Sequence, residues 1–231
     1  NSLKMHKIIL AGESSILIYF GNKINPNLPK NIANFANQLK KHFSGSIINL
    51  TPSYTSLLVN YDLNKVDYQQ FKVQISELLD QFSIEKTEQI SKVIHIPVYY
   101  GFEVALDLEK LLAEKELTID EFINIHTSQT YQVYAIGFSP VFAFLGQVDE
   151  QIQAPRLATP RIKIPAGSVG IADRQTAVYP IDSSGGWNIV GRTIIDLSLN
   201  NPKNIDKFKI GDEVKFYSIS RDEFIRYGGQ V

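Results

Sequence analysis

Most residues able to hold a ligand fall in one stretch, Tyr131 to Thr193, which also contains the only Trp and half of the glycines and prolines. Arg156 and Arg161 each follow a proline, on backbone with little freedom left to lose, and Arg174 and Arg192 lie in or beside turns of the same region. A pre-set guanidinium fork suits a carboxylate or a phosphate. Several forks sharing one face repel each other unless an anion or carboxylates balance them. Two readings follow: at least two of the four line an anion-binding cleft, or Asp149, Glu150, Asp173 and Asp182 balance them internally as ordinary surface pairs. Gly167 with Ser168, and Gly185 with Gly186, are either plain turns or an anion nest of exposed N–H groups.

Other side chains have two readings each. His126 sits at the predicted end of a helix, where histidine commonly caps the dipole; its closeness to the Tyr131 strand keeps a catalytic role open. Ser168 is not followed by the spacing of a nucleophile elbow. Trp187 could stack a ligand or cover a barrel end, and Phe138, Phe142 and Phe144 read as core or as an interaction surface. The four histidines are too scattered for a metal site, and no cysteine is present for disulfides, thiolate sites or a Cys nucleophile. Neither G-x-x-x-x-G-K-[ST] nor G-x-G-x-x-G occurs, so if ATP is used its phosphates are gripped by something else or by a partner.

The elements that must position these residues form two groups. Ile8–Ala11 and Ile16–Phe20 around Gly12-Glu-Ser-Ser read as a strand hairpin, followed by a helix over Pro29–Phe43, strands at Ile47–Leu50 and Tyr54–Tyr61, and a helix from about Val66 to Phe82. That alternation predicts a small α+β domain of split β-α-β (ferredoxin-like) type over residues 1–85. Polar Ser83–Ser91 marks the boundary. In residues 86–231, a strand interrupted by Pro97 precedes a helix over Leu106–Glu116 and a second opened by the Thr118…Glu121 capping box. From Tyr131 to the end the pattern is strand and turn, with Val214, Phe216 and Ile219 facing inward, and it predicts a closed β-barrel.

A formal net charge of −1 argues against a nucleic-acid or polybasic membrane-surface role. No apolar run approaches the roughly 20 residues of a bilayer span. With no signal pattern at the N-terminus, the expected location is the cytoplasm.

Taken together, Gly137-Phe-Ser-Pro-Val-Phe-Ala-Phe-Leu-Gly146, Pro155-Arg156, Pro160-Arg161-Ile-Lys-Ile-Pro-Ala-Gly-Ser-Val169, Gln175–Pro180, Gly185-Gly-Trp187 and Gly191-Arg-Thr193 resemble the B-type subunit of ATP-dependent 5-oxoprolinase. That family is also called allophanate hydrolase subunit 1, and includes the Kip-type inhibitor of a sporulation histidine kinase. The resemblance covers nearly the whole chain. It implies an α+β N-terminal domain followed by a cyclophilin-like β-barrel, and a second 5-oxoprolinase subunit (the C-type, or allophanate hydrolase subunit 2) as partner, with a lactam-binding third protein. It also implies ATP as co-substrate, bound by or shared with the partner.

On this enzymatic reading 5-oxo-L-proline, ATP and water give L-glutamate, ADP and phosphate. Arg156, Arg161 and Arg192 would hold the carboxylate or phosphoryl group with Gly167 and Ser168 donating to it, and His126, Asp173 and Gln175 would lie nearest the reacting centre. The alternative is a non-catalytic inhibitor that binds a histidine kinase through Phe142, Phe144 and Trp187. Two positions depart from the family pattern. Val141 replaces the glycine after Pro140, where a β-branched side chain disfavours positive φ, and Ser184 replaces the proline before Gly185.

Overall fold

The computed structural model describes residues 7–25, 27–82 and 92–231. The chain divides into two compact units, residues 1–90 and 91–231. The boundary expected at 85/86 lies outside the described residues.

In the first unit, β1 (Lys7–Gly12) and β2 (Ser15–Tyr19) form the expected hairpin. Then follow α1 (Leu28–His42), β3 (Ile47–Pro52), β4 (Ser56–Tyr61) and α2 (Tyr68–Gln81). Pro29 sits in the first turn of α1, where its missing N–H costs nothing. Asp67 caps α2 by accepting from the Gln70 N–H at 3.0 Å. The sheet order is β1-β2-β4-β3, with every neighbouring pair antiparallel. Strands β2 and β3 therefore run parallel with β4 between them, which is the split β-α-β arrangement. The fourth place, taken in a βαββαβ chain by a strand after the second helix, is filled here by β1. Alternate residues Ile16, Ile18, Leu57, Val59 and Tyr61 are buried on one sheet face, in one core with Phe35, Leu39, Phe71 and Ile75 from the helices.

The second unit contains β5 (Val93–Val98), α3 (Leu108–Lys115), α4 (Ile119–Ser128), β6 (Tyr131–Ile136), β7 (Ala143–Gly146), β8 (Arg161–Ile164), β9 (Ser168–Ala172), β10 (Gln175–Val178), β11 (Ser183–Gly185), β12 (Asn188–Arg192), β13 (Glu213–Ser218) and α5 (Arg221–Arg226). Seven strands form one sheet in the order β12-β9-β10-β7-β6-β13-β5, parallel only between β13 and β5. Its edge strands meet where Tyr99 and Arg192 exchange two backbone hydrogen bonds of 2.9 Å, giving a nearly closed barrel. Glycine is required at that seam: a Cβ on Gly191 would stand 2.7 Å from Val98 Cγ1 and 2.8 Å from the Tyr99 carbonyl oxygen. Pro97 fits because β5 is an edge strand. Val133, Leu145, Ile171, Val214 and Phe216 belong to the barrel core. β8 and β11 make a separate two-stranded ribbon. Besides two single 3-10 turns at Glu150–Ile152 and Pro202–Asn204, one α-helix departs from the strand-and-turn expectation: Ser220 and Glu223 close a capping box that opens α5.

Candidate functional site

The four arginines do not meet at one guest. Arg161 makes a bidentate pair with Asp107 at 2.9 and 2.6 Å, and Asp107 Oδ2 also accepts from the Ile189 N–H at 2.7 Å. With Asp107 buried, that fork is committed to the barrel's own structure. Arg174 Nη2 lies 3.9 Å from Glu150, with both side chains exposed. Arg192 Nη1 donates to the Gln230 carbonyl at 3.1 Å, while its buried Nε has no hydrogen-bond partner among the described residues. Arg156 Nε is 3.9 Å from Asp173 Oδ2, too far for a hydrogen bond, again with both side chains exposed.

The proposed nest is also spent internally. The Gly167 N–H donates to the Tyr179 carbonyl at 2.7 Å, and the Ser168 N–H donates to that of Pro165 at 3.2 Å. Gly167 is needed for its φ of +80° and because a Cβ there would stand 2.7 Å from the Thr193 carbonyl oxygen. Ser168 is fully buried, and its Oγ has no partner among the described residues. Gly167 and Arg192 share a cleft of about 310 Å3 that is also lined by Asp182 and Asp196, two carboxylates that oppose an incoming anion. Phosphates thus find no ready cradle in these residues.

His126 lies in the barrel core, away from solvent. Its ring stacks on Phe216 with centroids 4.7 Å apart. Thr176 Oγ1 donates to the Gly170 carbonyl at 3.0 Å, so it accepts from His126 Nε2–H at 3.1 Å. Nδ1 then accepts from the Tyr100 hydroxyl at 2.7 Å. Burial lowers the His126 pKa to about 3, so the ring is neutral and every polar atom of this thread is matched. Gln175 neighbours Thr176 on β10 and faces the opposite side of the sheet, and Asp173 occupies the β9–β10 turn at φ +51°. His126, Asp173 and Gln175 therefore do not share one reacting centre.

What the fold does assemble is an aromatic pocket of about 130 Å3, walled by Phe138, Phe142, Phe144, Tyr179 and Trp187, with Arg156, Gly185 and Gly186 at its lining. Phe142 is the hub, with ring centroids 5.2 Å from Phe138, 4.9 Å from Phe144, 5.2 Å from Tyr179 and 5.7 Å from Trp187, all edge-to-face. Phe142 and Trp187 are consequently buried and unavailable as anchors for a protein partner; Phe138, 65% exposed, stands at the surface instead. The Arg156 guanidinium lies 6.0 Å from the Trp187 ring centroid.

The loop that aims Phe138 holds two non-glycine residues at positive φ, Phe138 at +68° and Val141 at +66°. Val141 therefore occupies a backbone position that suits glycine, its side chain buried. Gly185 is required because a Cβ there would stand 2.5 Å from the Tyr179 hydroxyl oxygen. Burial pushes the Tyr179 phenol up to about 12, against smaller opposing pulls from the Trp187 N–H, Arg156 and Arg161, so it stays a neutral hydroxyl. A small apolar cup with one loosely paired guanidinium and a phenol can bind and orient a small anionic molecule. Sequence reasoning named most of these residues but missed Tyr179; its nearest signal was the Tyr-Pro dipeptide preceding the β11 turn.

Residues 6–204 match the family described as carboxyltransferase domain, subdomain C and D. The chain is 36% identical to the B-type 5-oxoprolinase subunit of Bacillus subtilis (strain 168), over 96% of each chain. It is 25% identical to the urea amidolyase of Lachancea kluyveri, covering 94% of this chain but 13% of that one. A crystal structure of a conserved uncharacterized protein from Pyrococcus horikoshii superposes with a TM-score of 0.55 at 38% identity, covering 94% of this chain and 100% of the other. Among the described residues no helix is long and apolar enough to cross a membrane.

Proposed function

The chain belongs to the carboxyltransferase subdomain C and D family, and from that premise we propose that it is one subunit of a cytoplasmic, heteromeric, ATP-dependent 5-oxoprolinase. The complex converts 5-oxo-L-proline, ATP and water to L-glutamate, ADP and phosphate. The observation that carries this reading is the end-to-end likeness to a protein named as the B-type 5-oxoprolinase subunit, 36% identical over 96% of both chains.

The geometry supports a shared task. This chain offers a site for a small anionic molecule, while its backbone N–H groups at Gly167 and Ser168 and its Arg161 fork already hold internal partners. ATP phosphates therefore do not fit these residues, and nucleotide binding falls to a second family subunit. Opening an unstrained lactam is difficult because the amide is a poor electrophile; ATP supplies the activation. The part left to this chain is to bind and orient the lactam, with a third, lactam-binding protein delivering it.

The test is 5-oxoproline-dependent ADP release by the purified complex of this chain with its partner subunits. Release that requires this chain supports the proposal. No release, while a reference 5-oxoprolinase complex turns over under the same conditions, overturns it.

A further inference from the structure

The aromatic pocket and Arg156 together define a ligand more narrowly than the family does. Its volume, about 130 Å3, is close to the ~150 Å3 of an apolar cavity that accepts a single benzene ring. One small ring fits; a nucleotide does not. Five aromatic side chains wall the space, so the body of the ligand is apolar and compact. The one cation on the lining, Arg156, stands over Trp187 and faces Asp173 only at 3.9 Å, leaving its fork free to close on a better-placed carboxylate. The larger cleft beside Arg192 has the opposite character, with Asp182 and Asp196 on its walls.

We propose that this pocket is the lactam subsite: the five-membered ring of 5-oxo-L-proline packs among Phe138, Phe142, Tyr179 and Trp187, and its carboxylate displaces Asp173 to pair with Arg156. The inference rests on the 5-oxoprolinase reading for the identity of the ring, and on the pocket alone for its size and charge. The neutral Tyr179 hydroxyl and the glycine at 185, which leaves that hydroxyl room, belong to the same wall. Arg156 acts here as a binding residue.

Trp187 is the only tryptophan in the chain and lines the pocket, so its fluorescence reports on this site alone. The full chain is titrated with 5-oxo-L-proline, with pyrrolidin-2-one (the ring without the carboxylate) and with acetate (the carboxylate without the ring). A saturable change is expected with 5-oxo-L-proline. Affinity should fall about tenfold or more for pyrrolidin-2-one and for Arg156→Met, which lose a charge-assisted pair. Acetate should give no saturable change, and Arg174→Met, outside the pocket, should match the unaltered chain. An unaltered chain that shows no saturable response to 5-oxo-L-proline, or an Arg156→Met chain that binds it equally well, overturns the proposal.

In the complex, Arg156→Met should raise the KM for 5-oxo-L-proline while ADP release persists at saturation. Turnover with an unchanged KM removes the subsite and leaves the function standing. Saturable binding to the chain, with no 5-oxoproline-dependent turnover by the complex, removes the function and leaves the subsite.

Discussion

Lowering the pH should unfasten the barrel through one residue, His126. Its ring is held neutral in the core, with a pKa of about 3, whereas in the unfolded chain an ordinary histidine titrates near ~6.5. Below that value the unfolded chain binds a proton that the folded chain refuses. The contribution is therefore complete above pH ~6.5 and is lost progressively as the pH falls toward 3, at up to about 1.4 kcal/mol per pH unit. At pH 4.5, about two units below the unfolded value, the loss is about 2.7 kcal/mol, a large fraction of a domain's usual ~5–15 kcal/mol. The assay is urea unfolding followed by Trp187, which lies in the barrel unit, at pH 7.5 and 4.5, for the unaltered chain and for His126→Gln. The variant starts less stable, having lost the Phe216 stack and the Tyr100 bond, but its pH dependence should be smaller by about 2.7 kcal/mol. Equal pH dependence in the two proteins would rule out a neutral buried ring, as would an NMR titration in which the His126 ring protonates near pH ~6.

Four further outcomes follow from the packing. Asp107→Ala should cost about 3 kcal/mol, because it strands the Arg161 fork and the buried Ile189 N–H together, whereas Asp173→Asn, which removes the charge of an exposed pair but still suits the left-handed backbone there, should cost under ~0.5 kcal/mol; comparable urea midpoints would contradict this. Val141→Gly should destabilise less than Val141→Ala despite removing more side chain, because glycine relieves about 1 kcal/mol or more of left-handed strain; the reverse order in a thermal melt would count against that strain. Gly191→Ala should cost about 1–3 kcal/mol by pushing Val98 and the Tyr99 carbonyl off the seam, and an unchanged Tm would mean that the seam is looser than described. Gly185→Ala should disturb the Tyr179 hydroxyl and weaken 5-oxo-L-proline binding at Trp187; unaltered binding would remove Tyr179 from the pocket wall.

The fold was legible where periodicity is strict. The period-two burial of β2 and β4 and the helical stripes of α1 and α2 fixed the split β-α-β unit, and the dense Gly-Pro turns after Tyr131 pointed to a barrel. Helix α5 was overlooked, although Ser220…Glu223 repeats the Thr118…Glu121 spacing, because its six residues are too few to show a period. The site was legible by residue type but not by partner. Prolines before Arg156 and Arg161 mark stiff backbone, yet only the tertiary fold brings Asp107, 54 residues away, onto the Arg161 fork. Likewise Phe142 reads as core or as an interaction surface, and Trp187 as a ligand stacker or a barrel-end cover, until the fold packs the two rings on each other and leaves Phe138 outside. The departure at Val141 was the most informative single residue: a position that suits glycine reads the same way in the backbone, at φ +66°.

A role for this chain in a lactam-opening complex is tested most directly by the yield of labelled L-glutamate from labelled 5-oxo-L-proline, set against ADP released, by the partner subunits with and without this chain. One glutamate per ADP is expected when the chain is present and none when it is left out. Equal glutamate in both mixtures, or ADP released with no glutamate formed, would contradict it.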